Sequence, residues 1–110
     1  MASVDITDNT GEARDELGRA VIRALTKCGM IAEGYAKFLC PVDTGRLRGS
    51  IVYQVDAEDD AVYIGTNVEY APYVELGTRK QKAQPFLRPA AEDHASEYGE
   101  IIESELKGQS

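Results

Sequence analysis

The sequence predicts an α+β fold: a long N-terminal helix and a C-terminal helix packed on a small antiparallel β-sheet. Three observations carry this. Apolar residues recur with three-and-four spacing before Pro41, alternate as in strands from Ile51 to Ile64, and return to helical spacing after Phe86. Pro41 closes the first regime, because its ring cannot join a helix interior and restricts the residue before it.

Residues 1–9 read as a flexible N-terminus, 10–107 as a single domain and 108–110 as a flexible C-terminus. Thr10 suits a helix N-cap, and Glu12, Asp15 and Glu16 fall where the positive end of the helix dipole favours acids. Leu17, Val21, Ala24, Leu25, Cys28, Ile31, Ala32, Tyr35 and Leu39 form one stripe, which predicts a helix from about residue 11 to 39. Gly18 and Gly29 project to nearly the same side, and close approach of another backbone is expected there. Ile22 and Met30 lie off the stripe and suggest a second contact surface.

Asp43 or Thr44 can cap a short turn, with Leu47 pointing inward and Gly49 ending it. Ile51, Tyr53 and Val55 then alternate with Val52, Gln54 and Asp56 as in a half-buried strand. Ala57 to Asp60 reads as a hairpin loop, and Val62 and Ile64 belong to a second, antiparallel strand. A two-stranded hairpin is marginal alone, so a third strand from Val68–Tyr70, from the basic loop or from a neighbouring subunit is expected. Tyr70 to Gly77 reads as one helical turn, with Pro72 near its start and Gly77 at its exit. A basic loop, Thr78 to Gln84, leads to a last helix with Pro89 in its first turn and the stripe Leu87, Ala91, His94, Ala95, Tyr98, Ile102 and Leu106.

Composition narrows the function. A chain of 110 residues fits one domain with a modest core. No apolar run approaches the roughly 18 residues of a membrane span, and Met1–Thr10 is too polar for a signal peptide, so a cytosolic site of synthesis is expected. The net charge of −7 disfavours tight non-specific binding to nucleic acid. It is unevenly placed: Ile51–Leu76 holds Asp56, Glu58, Asp59, Asp60, Glu69 and Glu75 with no base, and Gly77–Pro89 holds Arg79, Lys80, Lys82 and Arg88 with no acid.

Cys28 and Cys40 would lie roughly 18 Å apart along one helix, too far for a disulfide, and Cys28 reads as a small buried hydrophobe. The single histidine, His94, cannot anchor a usual zinc site, and no phosphate-binding glycine loop is present. No cofactor or metal is expected. Asp43-Thr44-Gly45 is the signature tripeptide of aspartic proteases, which at this length would act as a retroviral-type homodimer sharing a proton between two aspartates. Its surroundings argue otherwise. A helix and Pro41 lead into the tripeptide where an apolar strand is needed, and Arg46 follows where a small residue is needed. A further alternative is a small soluble interaction domain that pairs a free strand edge with a partner.

Three blocks carry a resemblance. They are Pro41-Val42-Asp43-Thr44-Gly45-Arg46-Leu47-Arg48-Gly49-Ser50-Ile51; Ile64-Gly65-Thr66-Asn67 with Tyr70 to Thr78; and Gln84-Pro85-Phe86-Leu87-Arg88-Pro89-Ala90. Over roughly residues 10 to 107 the chain resembles the small tail-component proteins of long-tailed bacteriophages and prophages, the head–tail joining or tail-completion proteins of the virion neck. The resemblance implies a structural protein, not an enzyme, with no cofactor. It implies a homo-oligomeric ring, most often a hexamer, between head-connector and tail-tube proteins, with DNA passing through the lumen and no membrane contact. The protein would be assembled in the host bacterial cytoplasm and reside in the virion. Asp43, Thr44, Gly45 and Leu47 would fix the helix-to-strand turn. Tyr70, Tyr73, Glu75, Gly77, Arg79, Lys80 and Lys82 would face a neighbouring subunit or partner, and Phe86 and Leu87 would dock the last helix.

Overall fold

The computed structural model describes residues 11–41 and 45–108. Thr10, Asp43 and Thr44, with the capping roles expected of them, lie outside the described residues, as do the expected N-terminus at 1–9 and all of the expected C-terminus at 108–110 except Gly108. The element order is α1 (Gly11–Leu39), α2 (Arg46–Ser50), β1 (Val52–Asp56), β2 (Ala61–Gly65), α3 (Ala71–Leu76), α4 (Leu87–Glu92) and α5 (Ala95–Lys107). The α+β prediction holds: long first and last helices pack against a two-stranded antiparallel sheet.

One row of residues organises α1. Ala20, Ala24, Cys28, Ala32, Ala36 and Cys40 recur at every fourth position, and all are buried. Four residues turn an α-helix by about 400°, so this row winds by about 40° per step and about 200° over its length. The buried side therefore rotates along the helix, and different elements cover it in turn. The stripe expected from the larger apolar residues overshoots at both ends, because Leu17 (50% exposed) and Leu39 (39% exposed) lie beyond the elements that could cover them.

On one side α5 runs antiparallel to α1. Arg23 and Lys27 grip Glu105, the Cys28 thiol approaches the Tyr98 carbonyl, and Tyr35 donates to Glu97 at 2.6 Å. On another side lies the hairpin, with Tyr53 opposite Ile64 and Asp56 opposite Ala61. Asp56 Oδ1 accepts the amides of Glu58 and Asp59, which shapes the loop as an Asx-type turn. Gly29 sits beneath this sheet. A Cβ there would stand 2.5 Å from the Tyr53 ring and 2.8 Å from a Val62 methyl. The expected close approach thus comes from sheet side chains and not from another backbone, and Gly18 faces open space. Ile22 is half-buried beside Ala57 and Asp60 at the hairpin tip, whereas Met30 is exposed.

The core gathers at the C-terminal end of α1, where Ala36, Cys40, Leu47, Ile51, Val68, Ala71, Phe86 and Ala90 cluster. Phe86 and Ile51 are its largest fully enclosed side chains. Gly45 (φ 82°) delivers the chain into α2, whose helix runs through Gly49 to Ser50, so Gly49 does not end the turn as expected.

Two further expectations are not met within this chain. Val68–Tyr70 turns into α3, closed by the Ala71 amide on the Val68 carbonyl, and no third strand forms among the described residues. The last helix is also broken at Asp93–His94. His94 stacks on Tyr35 at 3.6 Å, and the Tyr98 hydroxyl bonds the Ala90 carbonyl at 2.7 Å. These contacts with α1 and α4 set the two segments at different angles, so Ala90 is buried while Ala91 and Ala95 are exposed.

The two glycines of α1 give opposite predictions. Gly18→Ala should stabilise by up to about 1 kcal/mol, because alanine is the better helix former and nothing lies nearby. Gly29→Ala should destabilise by about 1–2 kcal/mol, as the clash with a ring outweighs the helical gain. Urea unfolding of both variants measures the difference.

Candidate assembly surface

The segment from Tyr70 to Arg88 is held together by one carboxylate. Glu75 Oε1 accepts the amides of Phe86 (3.0 Å) and Leu87 (2.9 Å), and Oε2 accepts that of Arg88 (3.1 Å). The first four N–H groups of a helix lack partners within it. At the start of α4 three of these are met by Glu75, and the fourth position is Pro89, which has none. Glu75, expected at a subunit contact, thus spends its carboxylate inside the subunit.

The loop between α3 and α4 is correspondingly ordered by short-range bonds. Gly77 (φ 81°) ends α3, and a Cβ there would stand 2.7 Å from the Ala83 nitrogen. The Thr78 hydroxyl accepts the amides of Lys80 and Gln81, and the Gln84 amide donates to the Val74 carbonyl at 2.8 Å. This folded loop carries Arg79, Lys80 and Lys82, all exposed and none ion-paired among the described residues. Arg88, the fourth cation of the block, pairs with Glu92. Beside the loop α3 presents Tyr73 (61% exposed) and Leu76 (76% exposed). The structure therefore brings Tyr73, Gly77, Arg79, Lys80 and Lys82 onto one exposed region, and it leaves Tyr70 half-buried behind them.

The helix-to-sheet turn is a separate device. Arg46 makes a two-pronged pair with Glu69 (3.1 and 3.4 Å) and lies 5.5 Å from the centre of the Tyr70 ring. Hydrogen bonding from its own backbone and from Arg46 lowers the Glu69 pKa, and Glu69 raises that of Arg46. Ser50 hydrogen-bonds Thr66, whose hydroxyl also accepts the Val68 amide. Leu47 is buried as expected, and Gly45 is exposed at the start of α2.

Sequence reasoning missed Phe38, which is 81% exposed and lies two turns from Met30 on α1. Its helical position, eight residues beyond Met30, was a readable signal. Among the described residues no group of three or more His, Cys, Asp or Glu is placed to hold a metal, and no helix is long and apolar enough to cross a membrane. Burial raises the pKa of both Cys28 and Cys40, which keeps these free thiols protonated and unreactive.

The architecture is that of a small α+β protein with an exposed region of Tyr73, Leu76 and the basic loop. Residues 5–77 match the family described as "Bacteriophage HK97-gp10, putative tail-component". The chain belongs to this HK97-gp10-like family of phage structural tail components, of the head–tail joining type, and is not an enzyme. The match takes in the first of the three sequence blocks and the second as far as Gly77, and stops before Gln84–Ala90. Neither curated proteins nor solved structures returned a match. Family membership corrects the protease alternative, and Gly45 leads into a helix instead of leaving a protease strand. As a tail component, the protein has other virion proteins as partners.

Two predictions follow from these contacts. Glu75→Ala should cost about 2–3 kcal/mol in urea unfolding, since it strands three charge-assisted backbone bonds, and Glu75→Gln should cost less. Burial, then Glu97, pushes the Tyr98 pKa from 10.0 up to about 12. A raised folded-state value means this contribution is complete below pH 10 and lost as pH rises towards 12. Thermal melts between pH 9 and 12 should show a steeper alkaline loss for the native chain than for Tyr98→Phe.

Proposed function

We propose that this chain is a neck protein that forms a closed ring, six-fold, between head connector and tail tube, completing the tail or joining it to the head. The observation that carries the reading is the separation of unpaired charge within one subunit. The basic loop is anchored through α3 to the Ala36–Cys40 end of α1. The acids Glu58, Asp59 and Asp60 lie on the hairpin loop, with Asp60 beside Arg19, Ile22 and Arg23 of α1, roughly 25 Å away along that helix, and none of the three acids is ion-paired among the described residues. A ring is built from heterologous contacts, in which two different surfaces of each subunit meet. Opposite charges at opposite ends supply such a pair and fix its register. Tyr73, Leu76 and Gly77 lie beside the basic loop and would add apolar contact area.

The net charge of −7 suits a lumen through which DNA slides without sticking. Assembly takes place in the host cytoplasm, and the ring stays in the virion neck.

The test is a charge exchange read by native mass spectrometry over a range of ionic strengths. Replacing Arg79, Lys80 and Lys82 by Glu should abolish the six-subunit species and its salt sensitivity while leaving the melting temperature within about 2 °C, since exposed charges contribute little to the fold. Adding Glu58→Lys, Asp59→Lys and Asp60→Lys should restore assembly. Assembly and salt response untouched by the first triple substitution would refute the charged joint.

A further inference from the structure

β2 and α5 both lean on α1 and part above it, leaving an open apolar cleft of about 600 Å³. It is also lined by Leu76 of α3 and by Leu87 of α4, the helix that contacts β2. Its floor is Leu25, Cys28, Gly29 and Ala32 of α1, small enough to leave room for an occupant. Val62 and Ile64 of β2 form one wall, and Tyr98 and Ile102 of α5 the other.

The β2 wall is an unpaired strand edge. The Tyr53 amide donates to Glu33 Oε1 at 3.1 Å, so it points away from β2, and Glu33 of α1 guards the outer edge of β1. Tyr53 stands opposite Ile64, and Val55 opposite Val62. In an antiparallel ladder both members of such a pair turn their backbone groups outward. The N–H and C=O groups of Val62 and Ile64 therefore point into the cleft, and none of them is bonded to another element among the described residues. A helix laid there would have no free backbone groups to offer; an extended segment would supply both donors and acceptors.

The chain contains a segment of that kind. Ala2, Val4 and Ile6 alternate with Ser3, Asp5 and Thr7 in the sequence ahead of α1. That alternation is the pattern of a strand with one apolar face. The Val62 stretch of its own β2 edge is out of reach. Gly29, which packs against Val62, lies 18 residues beyond Gly11, roughly 27 Å along the helix. The five residues from Ile6 to Gly11 span at most roughly 18 Å even when fully extended, and the seven from Val4 roughly 25 Å.

We propose that residues 2–7 of a second copy of this chain add as a third strand along β2, with Val4 and Ile6 seated in the cleft. The inference rests on the self-association argued above but not on the ring or its symmetry. It also accounts for the missing third strand, which the neighbouring subunit supplies.

The test adds a synthetic peptide of residues 1–10 to the full-length protein and follows amide hydrogen exchange. The amides of Val62 and Ile64 should slow at least tenfold on saturation, while that of Tyr53, already bonded to Glu33, should not change. A peptide carrying Val4→Asp and Ile6→Asp should have no effect. No slowing at millimolar native peptide, equal slowing by the substituted peptide, or slowing confined to α1 and α5 would each overturn the proposal. Full-length chain with the same two substitutions separates this reading from the ring: unimpaired assembly would overturn the arm and leave the ring standing.

Discussion

The structure depends on one row of small side chains. Ala20, Ala24, Cys28, Ala32, Ala36 and Cys40 let other elements come close to α1 along a path that winds around it. A straight apolar stripe would have served one neighbour. This winding row serves the hairpin, α5 and the α2–α4 cluster in succession, so a 29-residue helix becomes the spine of a domain with little other core. Large side chains are few within it. Phe86 and Ile51 close the end where the loops converge, and burial of each contributes about 2–3 kcal/mol.

Around this spine the polar groups that matter for folding are satisfied inside the subunit. Glu75 takes up the start of α4, Glu33 the outer edge of β1, and Arg46 with Glu69 the approach to α3. No buried side-chain donor or acceptor among the described residues lacks a partner. What stays unsatisfied is therefore at the surface, and three places stand out. These are the basic loop with Tyr73 and Leu76, the acidic hairpin tip, and the β2 edge above its cleft. A chain satisfied internally, with such places left at its surface, suits the assembly proposed above.

The sequence made much of this legible, and the failures share a cause. The bounds of α1, the hairpin and its inward residues Tyr53, Val55, Val62 and Ile64, and the exit of α3 at Gly77 follow from periodicity and from residues with special backbone freedom. The row at every fourth position was missed because attention went to larger side chains, which placed exposed Leu17 and Leu39 in the stripe. The break at Asp93–His94 has no local signal, neither proline nor glycine; it comes from His94 meeting Tyr35, 59 residues earlier in the chain. Glu75 shows the same limit at the candidate site. The resemblance placed it near a subunit contact, and no local pattern announced that its carboxylate binds amides 11 to 13 residues later. Local pattern reads elements well and cannot read which distant partner a side chain finds.

Electron cryo-microscopy of tailed particles that carry this protein tests the central claim most directly. The account predicts a closed ring of this chain at the head–tail junction, with the basic loop of each subunit against the acidic hairpin of the next. Density for this chain away from that junction, or there as isolated copies without subunit–subunit contact, would contradict it.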